Sequence, residues 1–253
     1  MFAQERLDEI VKLLNKEGKV IVKDLSAKFT VTEDCIRKDL KILENENILK
    51  RTYGGGILVQ KSATILSIGN RLNLNINNKR KIAEKAFKLI ENGDSVFLDI
   101  SSTNVLLAQM LSASNKNITI ITNMIDIVNS FSSNKTIKVI CTGGTYNSEL
   151  NGFTGSMTID SISNYRVDKS FIGSCGINIF DKTITTFDME DGNTKKQIMD
   201  SSKAIYLVME NKKFHLEGMY RFAHIADIKA VITEKKPEND IICAFQEMGI
   251  DVV

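Results

Sequence analysis

The stretch TEDCIRKDLKILENENILKRTYGGG, Thr32 to Gly56, decides how the first quarter of the chain folds. Thr32 suits a helix N-cap, and Glu33 and Asp34 follow in the first turn, where the helix dipole favours acids. Ile36, Leu40 and Leu43 then define an inward face. Stepping about 100° per residue from Ile36 sets Asp34, Lys38 and Lys41 opposite it, with Arg37 on the flank. After the helix, ILKR and ILVQ flank TYGGG, the pattern of two short strands around a tight turn.

Upstream, Leu7, Ile10, Val11 and Leu14 recur at i, i+3, i+4 and i+7, one apolar helical stripe closed by Gly18. Val22, Leu25 and Phe29 give a second, shorter stripe. Three helices and a hairpin within residues 1–57 predict a winged helix-turn-helix. Such a fold lays the third helix in the major groove, where residues near its N-terminus reach base edges. Thr32, Glu33, Arg37, Lys38 and Lys41 are the candidate DNA-facing residues of the helix, with Arg51 and Tyr53 on the wing beside Lys50. A charged helix face alone is more often merely solvated, and it is the order helix, turn, helix, wing that favours DNA.

The 253 residues carry a formal net charge of +2, too small for a chain basic throughout, so a nucleic-acid reading rests on local charge. The absence of any run of eighteen or more apolar residues argues against a membrane span. MFAQERLDEI is charged within its first five residues and lacks a secretory apolar region, which points to the cytoplasm. Cys35, Cys141, Cys175 and Cys243 lack metal-type spacing, and with only His215 and His224 neither a metal site nor a cofactor is expected. Reduced thiols, buried or half-buried, are the expectation for all four.

Residues 58–76 show no strong periodicity and read as a linker. From residue 77 to 253 the pattern alternates. KRKIAEKAFKLIENGD, TNVLLAQML and MIDIVNSF are helical in period, whereas SVFLDI, NITIIT, TIKVICT, VDKSFIG, KAIYLVM and IKAVIT have the continuous apolar character of strands buried on both faces. That alternation predicts an α/β domain with a largely parallel sheet.

These motifs resemble the DeoR-type bacterial transcriptional regulators. The match is carried by ERLDEIVKLL, by Ile36-Arg37-Lys38-Asp39-Leu40 with Leu43-Glu44, and by Arg51 before the glycines. Tyr53 and Gly56 stand where the family usually has His and Ala. FLDISSTNVLLAQML, IITNM, VICTGGTYN, VDKSFIGSCGIN and VMENKKF extend the likeness through nearly the whole chain. The resemblance implies a C-terminal sensor of phosphorylated sugars, sharing its fold with ribose-5-phosphate isomerases and CoA-transferases. The family pattern Asp-x-Gly-Thr-Thr corresponds here to Asp99-Ile100-Ser101-Ser102-Thr103.

The residues support the same site independently. Ligands of open α/β sheets bind beyond the carboxyl ends of the strands. Three strand ends run into small or polar residues: Asp99 with Ser101, Ser102 and Thr103; Thr122 with Asn123; and Thr142 with Gly143 and Gly144. Hydroxyls and backbone N–H groups at helix N-termini suit a phosphate, although βα turns favour the same residues for capping alone. Lys213, read as following the strand KAIYLVM, adds a balancing cation, and strand alternation turns Lys212 the other way. The resemblance also places Asp168 at the site. Catalysis by a sugar-phosphate isomerase is the alternative function, but Phe171, Ile172 and Gly173 stand where such enzymes carry further acids, so no catalytic residue is assigned. Glu190 and Lys195 read as a structural helix pair. The expectation is a DNA-binding regulator, a repressor of a sugar-metabolism operon controlled by a phosphorylated sugar. It would act as a homodimer or homotetramer on pseudo-palindromic operator DNA.

Overall fold

The computed structural model describes residues 2–46, 48–59, 61–62 and 67–253. Contacts divide the chain into two units, Met1–Lys61 and Ser62–Val253.

The first unit consists of α1 (Ala3–Glu17), β1 (Lys19–Ile21), α2 (Val22–Phe29), α3 (Glu33–Asn45), β2 (Leu49–Thr52) and β3 (Gly55–Leu58). Ile10, Leu14, Val22, Leu25, Ile36, Leu40 and Leu43 are buried together, so the helical stripes close one core. Gly18 ends α1 with φ at 70°, and the Thr32 hydroxyl caps α3 by accepting from the Cys35 N–H at 3.3 Å.

The wing has three strands, in the order β1–β3–β2, because Lys19–Ile21 adds an antiparallel edge to the expected hairpin. Its glycines do different work. Gly54 turns the hairpin at φ +88°, whereas Gly55 brings β3 so close to β1 that a Cβ there would collide with the Val20 carbonyl oxygen. A buried ion pair binds α1 to α3. Arg6 Nε donates to Asp39 Oδ2 at 2.6 Å and its Nη2 to Oδ1 at 3.1 Å, a bidentate geometry that adds direction to charge.

The short β4 (Lys61–Ser62) spans the division, and the second unit continues with α4 (Ile68–Leu72) and α5 (Ile76–Lys88). The expected strands and helices follow as β5 (Ser95–Leu98), α6 (Ser102–Ser112), β6 (Thr119–Thr122), α7 (Ile125–Ser130) and β7 (Lys138–Cys141). An antiparallel hairpin, β8 (Thr145–Asn147) with β9 (Gly152–Thr154), leads to α8 (Ser156–Ser163) and β10 (Val167–Gly173). Next come β11 (Gly176–Asn178), β12 (Thr183–Thr186), α9 (Met189–Asp200), β13 (Ser202–Val208), a 3-10 turn (Asn211–His215), β14 (Leu216–Glu217) and β15 (Tyr220–His224). The chain finishes with β16 (Ala230–Ile232), α10 (Asn239–Glu247) and β17 (Asp251–Val252).

Seven parallel strands form the main sheet, in the order β17–β16–β13–β10–β5–β6–β7. Alternate residues enter opposite cores. Val96, Leu98, Phe171 and Val208 join Ile82 of α5 and Leu107 of α6, while Phe97, Ile172, Leu207 and Val231 join Ile162 of α8, Ile198 of α9 and Phe245 of α10. This two-sided burial explains the continuous apolar runs of the sequence. β11, β12 and β15 make a separate antiparallel sheet that the alternating pattern did not predict. From β5 the sheet grows outward through β6 and β7, and the chain then crosses back to β10 on the other side. The strand order therefore reverses between β5 and β10, where an open α/β sheet leaves its crevice.

Two expectations change. Of the expected linker, residues 60 and 63–66 lie outside the described residues, but Ile68 on α4 is 3% exposed and packs into the core of the second unit. Its N–H also donates to the Glu149 carbonyl at 2.8 Å. The linker reading of 58–76 therefore gives way to a sensor unit whose fold begins before α4, because one five-residue helix is too short to show a period. Cys141 and Cys243 are exposed rather than buried or half-buried, and all four thiols are free.

A fragment spanning Ser62–Val253 should consequently fold by itself, whereas one starting at Lys79 loses Ile68 and Leu72 from the core. The shorter fragment should be less stable by about 2–5 kcal/mol, the usual effect of deleting a large buried aliphatic side chain. Urea denaturation of the two fragments measures the difference, and equal midpoints would return α4 to the linker.

Candidate functional site

The site is built at the reversal of strand order. β5 ends at Leu98 and delivers Asp99, which is 0% exposed. Ser101 follows with extended backbone (φ −158°) and caps α6 by accepting from the Thr103 N–H at 3.2 Å. Asn104 clamps the loop, donating to the carbonyls of Asp99 and Phe171 at 2.9 and 2.8 Å. The end of β10 lies directly against it, and a Cβ at Gly173 would stand 2.8 Å from the Ser101 Cβ. Only glycine permits that approach without moving the cap of α6.

Asp99 Oδ2 accepts from the Lys195 amine at 2.5 Å and from the Gly173 N–H at 2.9 Å. Lys195, on α9, also lies 3.3 Å from Asp191, whose Oδ2 accepts from the Thr186 hydroxyl at 2.7 Å. Burial pushes the Asp99 carboxyl up, against the pull of Lys195. Burial likewise works against the charged Lys195 amine, but Asp191 and Asp99 outweigh it and the amine is held above its ordinary value. The result is a buried, charged cluster that fixes α9 to the end of β5.

These groups border a cavity of about 390 Å³, a size usual for small-molecule sites. Ser101, Ser102, Thr103 and Lys195 form part of its wall, with Lys213 facing them and Arg71 and Lys79 contributed by α4 and α5. Lys213 is half-buried, and its amine donates to the Ser174 carbonyl at 2.5 Å. Burial pushes its pKa down to about 8.

The sequence expectations divide accordingly. Ser101, Ser102, Thr103 and Lys213 line the cavity, and Asp99 stands behind it as the partner of Lys195. Thr122, Asn123, Gly143 and Gly144 are not among the lining residues. Thr122 Oγ1 donates to the Leu98 carbonyl at 2.7 Å, Asn123 Nδ2 to the Phe153 carbonyl at 2.9 Å, and the Gly143 carbonyl accepts from Thr158 Oγ1 at 2.9 Å. They tie loops together, which is the capping role that such turns favour. Asp168 is corrected outright. It lies at the amino end of β10, remote from the carboxyl ends of the strands, where it pairs with Lys203 at 2.7 Å and accepts from the Ser95 hydroxyl at 2.6 Å. Those bonds, Lys203 first, hold its carboxyl well below the usual range.

Lys195 is the converse correction, since its partners are Asp99 and Asp191 and not Glu190. Lys212 and Lys213 belong to a 3-10 turn instead of a strand end, and both line the cavity. Among the described residues no cluster of three or more His, Cys, Asp and Glu side chains could hold a metal ion, and no helix is long and apolar enough to cross a membrane.

In the first unit, Arg37, Lys38 and Lys41 are exposed on α3. Arg37 is bridged to Glu33 and Asp34, at 2.6 Å each. Arg51 pairs with Glu44 at 2.6 Å, and Tyr53 projects freely from the wing. Thr32 and Glu33 are thus engaged within their own helix, as cap and as ion-pair partner. Arg6 and Asp39 escaped the sequence reading, yet a signal existed: counted around their helices, each falls within about 60° of the buried face, where a charge needs a partner.

A winged helix-turn-helix joined to a separate α/β unit with a ligand-sized cavity is the construction of a DNA-binding regulator that answers a small molecule. Residues 6–62 match the DeoR-like helix-turn-helix domain and residues 74–235 the DeoR C terminal sensor domain, and the chain belongs to the DeoR family of transcriptional regulators. It is 30% identical over its full length to the HTH-type transcriptional repressor GlcR of Bacillus subtilis (strain 168), of which 96% is covered. Identity is also 30% to the glycerol-3-phosphate regulon repressor of Escherichia coli (strain K12), over 98% of this chain and 97% of that one. Among solved structures, ribose 5-phosphate isomerase A from Methanocaldococcus jannaschii aligns with 56% of the chain and 55% of its own at 16% identity, with a TM-score of 0.42. A family of DNA-binding regulators, with relatives named as repressors, makes this chain a regulator of transcription and not an enzyme.

Replacing Asp99 with Asn should destabilise the sensor unit by about 3 kcal/mol, the lower part of the range for breaking a buried pair, because Asp191 stays beside Lys195. Asp168→Asn, at the half-exposed edge, should cost less than about 1 kcal/mol. Denaturation of the two variants compares them directly, and an equal loss would remove the special status of the Asp99–Lys195 pair.

Proposed function

We propose that the chain is a repressor of a sugar-metabolism operon whose grip on operator DNA is controlled by a phosphorylated sugar in the cavity. One observation carries the ligand class. The first turn of α6, with Ser101, Ser102 and Thr103, shares its cavity with Lys213, so hydroxyls, helix dipole and a cation converge as a phosphate requires. The relatives named for repression and for the glycerol-3-phosphate regulon are consistent with that chemistry.

On the DNA side, Lys38 and Lys41 offer cations from the exposed face of α3, and Arg37 becomes available when it exchanges its carboxylate partners for a base edge or phosphate. Arg51 and Tyr53 reach the flanking backbone from the wing. Two such units bind the halves of a pseudo-palindrome, so the working form is a homodimer or homotetramer. Ligand binding shifts the population of DNA-competent arrangements.

Arg37→Ala combined with Lys38→Ala should abolish specific operator binding while leaving α3 packed through Ile36, Leu40 and Leu43. Base contacts of this kind are worth about 1–3 kcal/mol each, and loss of phosphate contacts flattens the salt dependence. A gel-shift titration at several salt concentrations measures both, and an unchanged affinity and slope would remove α3 from the groove.

Lys213→Ala should bind operator normally yet need about 10–100-fold more effector to change that binding, the equivalent of one charge-assisted hydrogen bond. Effector binding should also take up protons between pH 8 and the ordinary lysine range. A free amine with a pKa of about 8 is partly neutral there, and a bound anion restores its charge. Calorimetry at pH 8.5 in buffers of different ionisation enthalpy reads the uptake. It should vanish at pH 6.5 and in Lys213→Ala. No stabilisation or release by any member of a phosphosugar panel would overturn the proposal.

A further inference from the structure

The charges around the cavity balance once Asp99 is counted, but one buried group is left without a partner. Of the carboxylates on the wall, Asp191 is taken by Lys195 and the Thr186 hydroxyl, Glu210 by Asn75 and Lys212, and Asp188 by the Asp191 N–H. Glu149 is exposed. Among the amines, Lys195 has Asp99 and Asp191, Lys79 donates to the Arg71 carbonyl, and Lys213 donates to that of Ser174. Arg71, on α4, remains. Among the described residues its guanidinium enters no ion pair. Its Nε is buried without a hydrogen-bond partner.

A buried donor without an acceptor costs about 1–3 kcal/mol, and more on a charged group. The backbone at Arg71 is too well held to relieve that cost by moving. Ile68 and Leu72 pack α4 into the core that also contains Val105 and Leu107 of α6. The Arg71 carbonyl accepts from the Lys79 amine and, at 3.2 Å, from the Leu74 N–H. Its guanidinium also lies close enough to act on Lys213. Burial is the main cause of the lowered Lys213 pKa, and Arg71 adds to it while Cys175 opposes it. Neighbouring cations each disfavour the other's charge, and an anion between them relieves both. An arginine kept only to pack its stem on apolar neighbours would explain the position of Arg71. It would not explain an unpaired Nε in the wall of a ligand-sized cavity.

Resting on the phosphate reading given above, we infer that Arg71 is a further binding residue for the same phosphate that α6 and Lys213 receive, its guanidinium fork donating to two of the phosphate oxygens. Such paired donation is what the planar guanidinium offers and an ammonium does not. The acceptor that the free protein lacks is then supplied by the ligand. Arg71 consequently contributes to affinity and nothing to the stability of the empty unit. Lys79, which grips the Arg71 carbonyl, is a positioning residue that acts through it.

The test uses the full chain as wild type, Arg71→Met and Arg71→Lys. Each is titrated by calorimetry with inorganic phosphate, which has a single anionic group, and with every member of the phosphosugar panel. Arg71→Met should bind about 10–100-fold more weakly, the equivalent of a charge-assisted hydrogen bond. Arg71→Lys should recover only part of that loss, because it restores the charge without the fork. Without ligand, Arg71→Met should unfold at the same urea concentration as wild type or at a higher one, since it removes an unpaired donor and keeps an apolar stem. A purely structural arginine gives the reverse, a lower midpoint with unchanged affinity, and that result would overturn the inference. So would equal binding by wild type and Arg71→Met of every phosphate compound that wild type binds. Circular dichroism checks folding. Should Arg71→Met not fold, Arg71→Lys carries the comparison, and full wild-type affinity there would overturn the inference. A wild type that binds neither inorganic phosphate nor any phosphosugar would overturn it together with the phosphate reading.

Discussion

The buried pair of Asp99 and Lys195 is the constraint around which the sensor unit is organised. Taking both charges out of water is costly, and the cost is offset only because Lys195 meets Asp99 and Asp191, while Asp99 also accepts the Gly173 N–H. Satisfying those bonds sets the end of β5, the end of β10 and the first half of α9 in one arrangement. Ser101 then arrives at the start of α6 and Ser174 opposite it, where the Lys213 amine finds its carbonyl acceptor. A cavity wall made from three separate stretches of chain is thereby held by one electrostatic contact.

Much of this was legible in the sequence for a simple reason. Strands such as Val167–Gly173 are buried on both faces and so read as unbroken apolar runs, and the polar residues that end them mark the side on which ligands collect. The same logic, applied strictly, would have excluded Asp168. It stands at the start of its strand, whereas Asp99 follows the end of one, and only the latter end faces the cavity. Short elements were harder to read. α4, β11 and β12 have five, three and four residues, too few for a period to declare itself.

The charged residues were least legible because their partners are distant in sequence. Asp99 and Lys195 are separated by 96 positions and Arg6 and Asp39 by 33, so no local pattern links them. Arg71 was hidden differently, because it lies in a stretch that reads as linker, whereas Lys79 sits in a helix whose period shows an apolar face but no cavity. What the sequence did contain was a set of charges placed on otherwise apolar helix faces. Each of those marked a buried contact.

The third strand of the wing bears on how the first unit meets DNA. A free two-stranded ribbon samples many orientations, and fixing it on a duplex sacrifices that freedom at the moment of association. Here β3 is stitched to β1, with Gly55 pressed against the Val20 carbonyl, and β1 runs straight into α2. Tyr53 and Arg51 are therefore carried on a stiff strut whose direction was set during folding. The entropy of aiming the wing is spent once, before any operator is encountered, and the bound lifetime of the complex need not bear it.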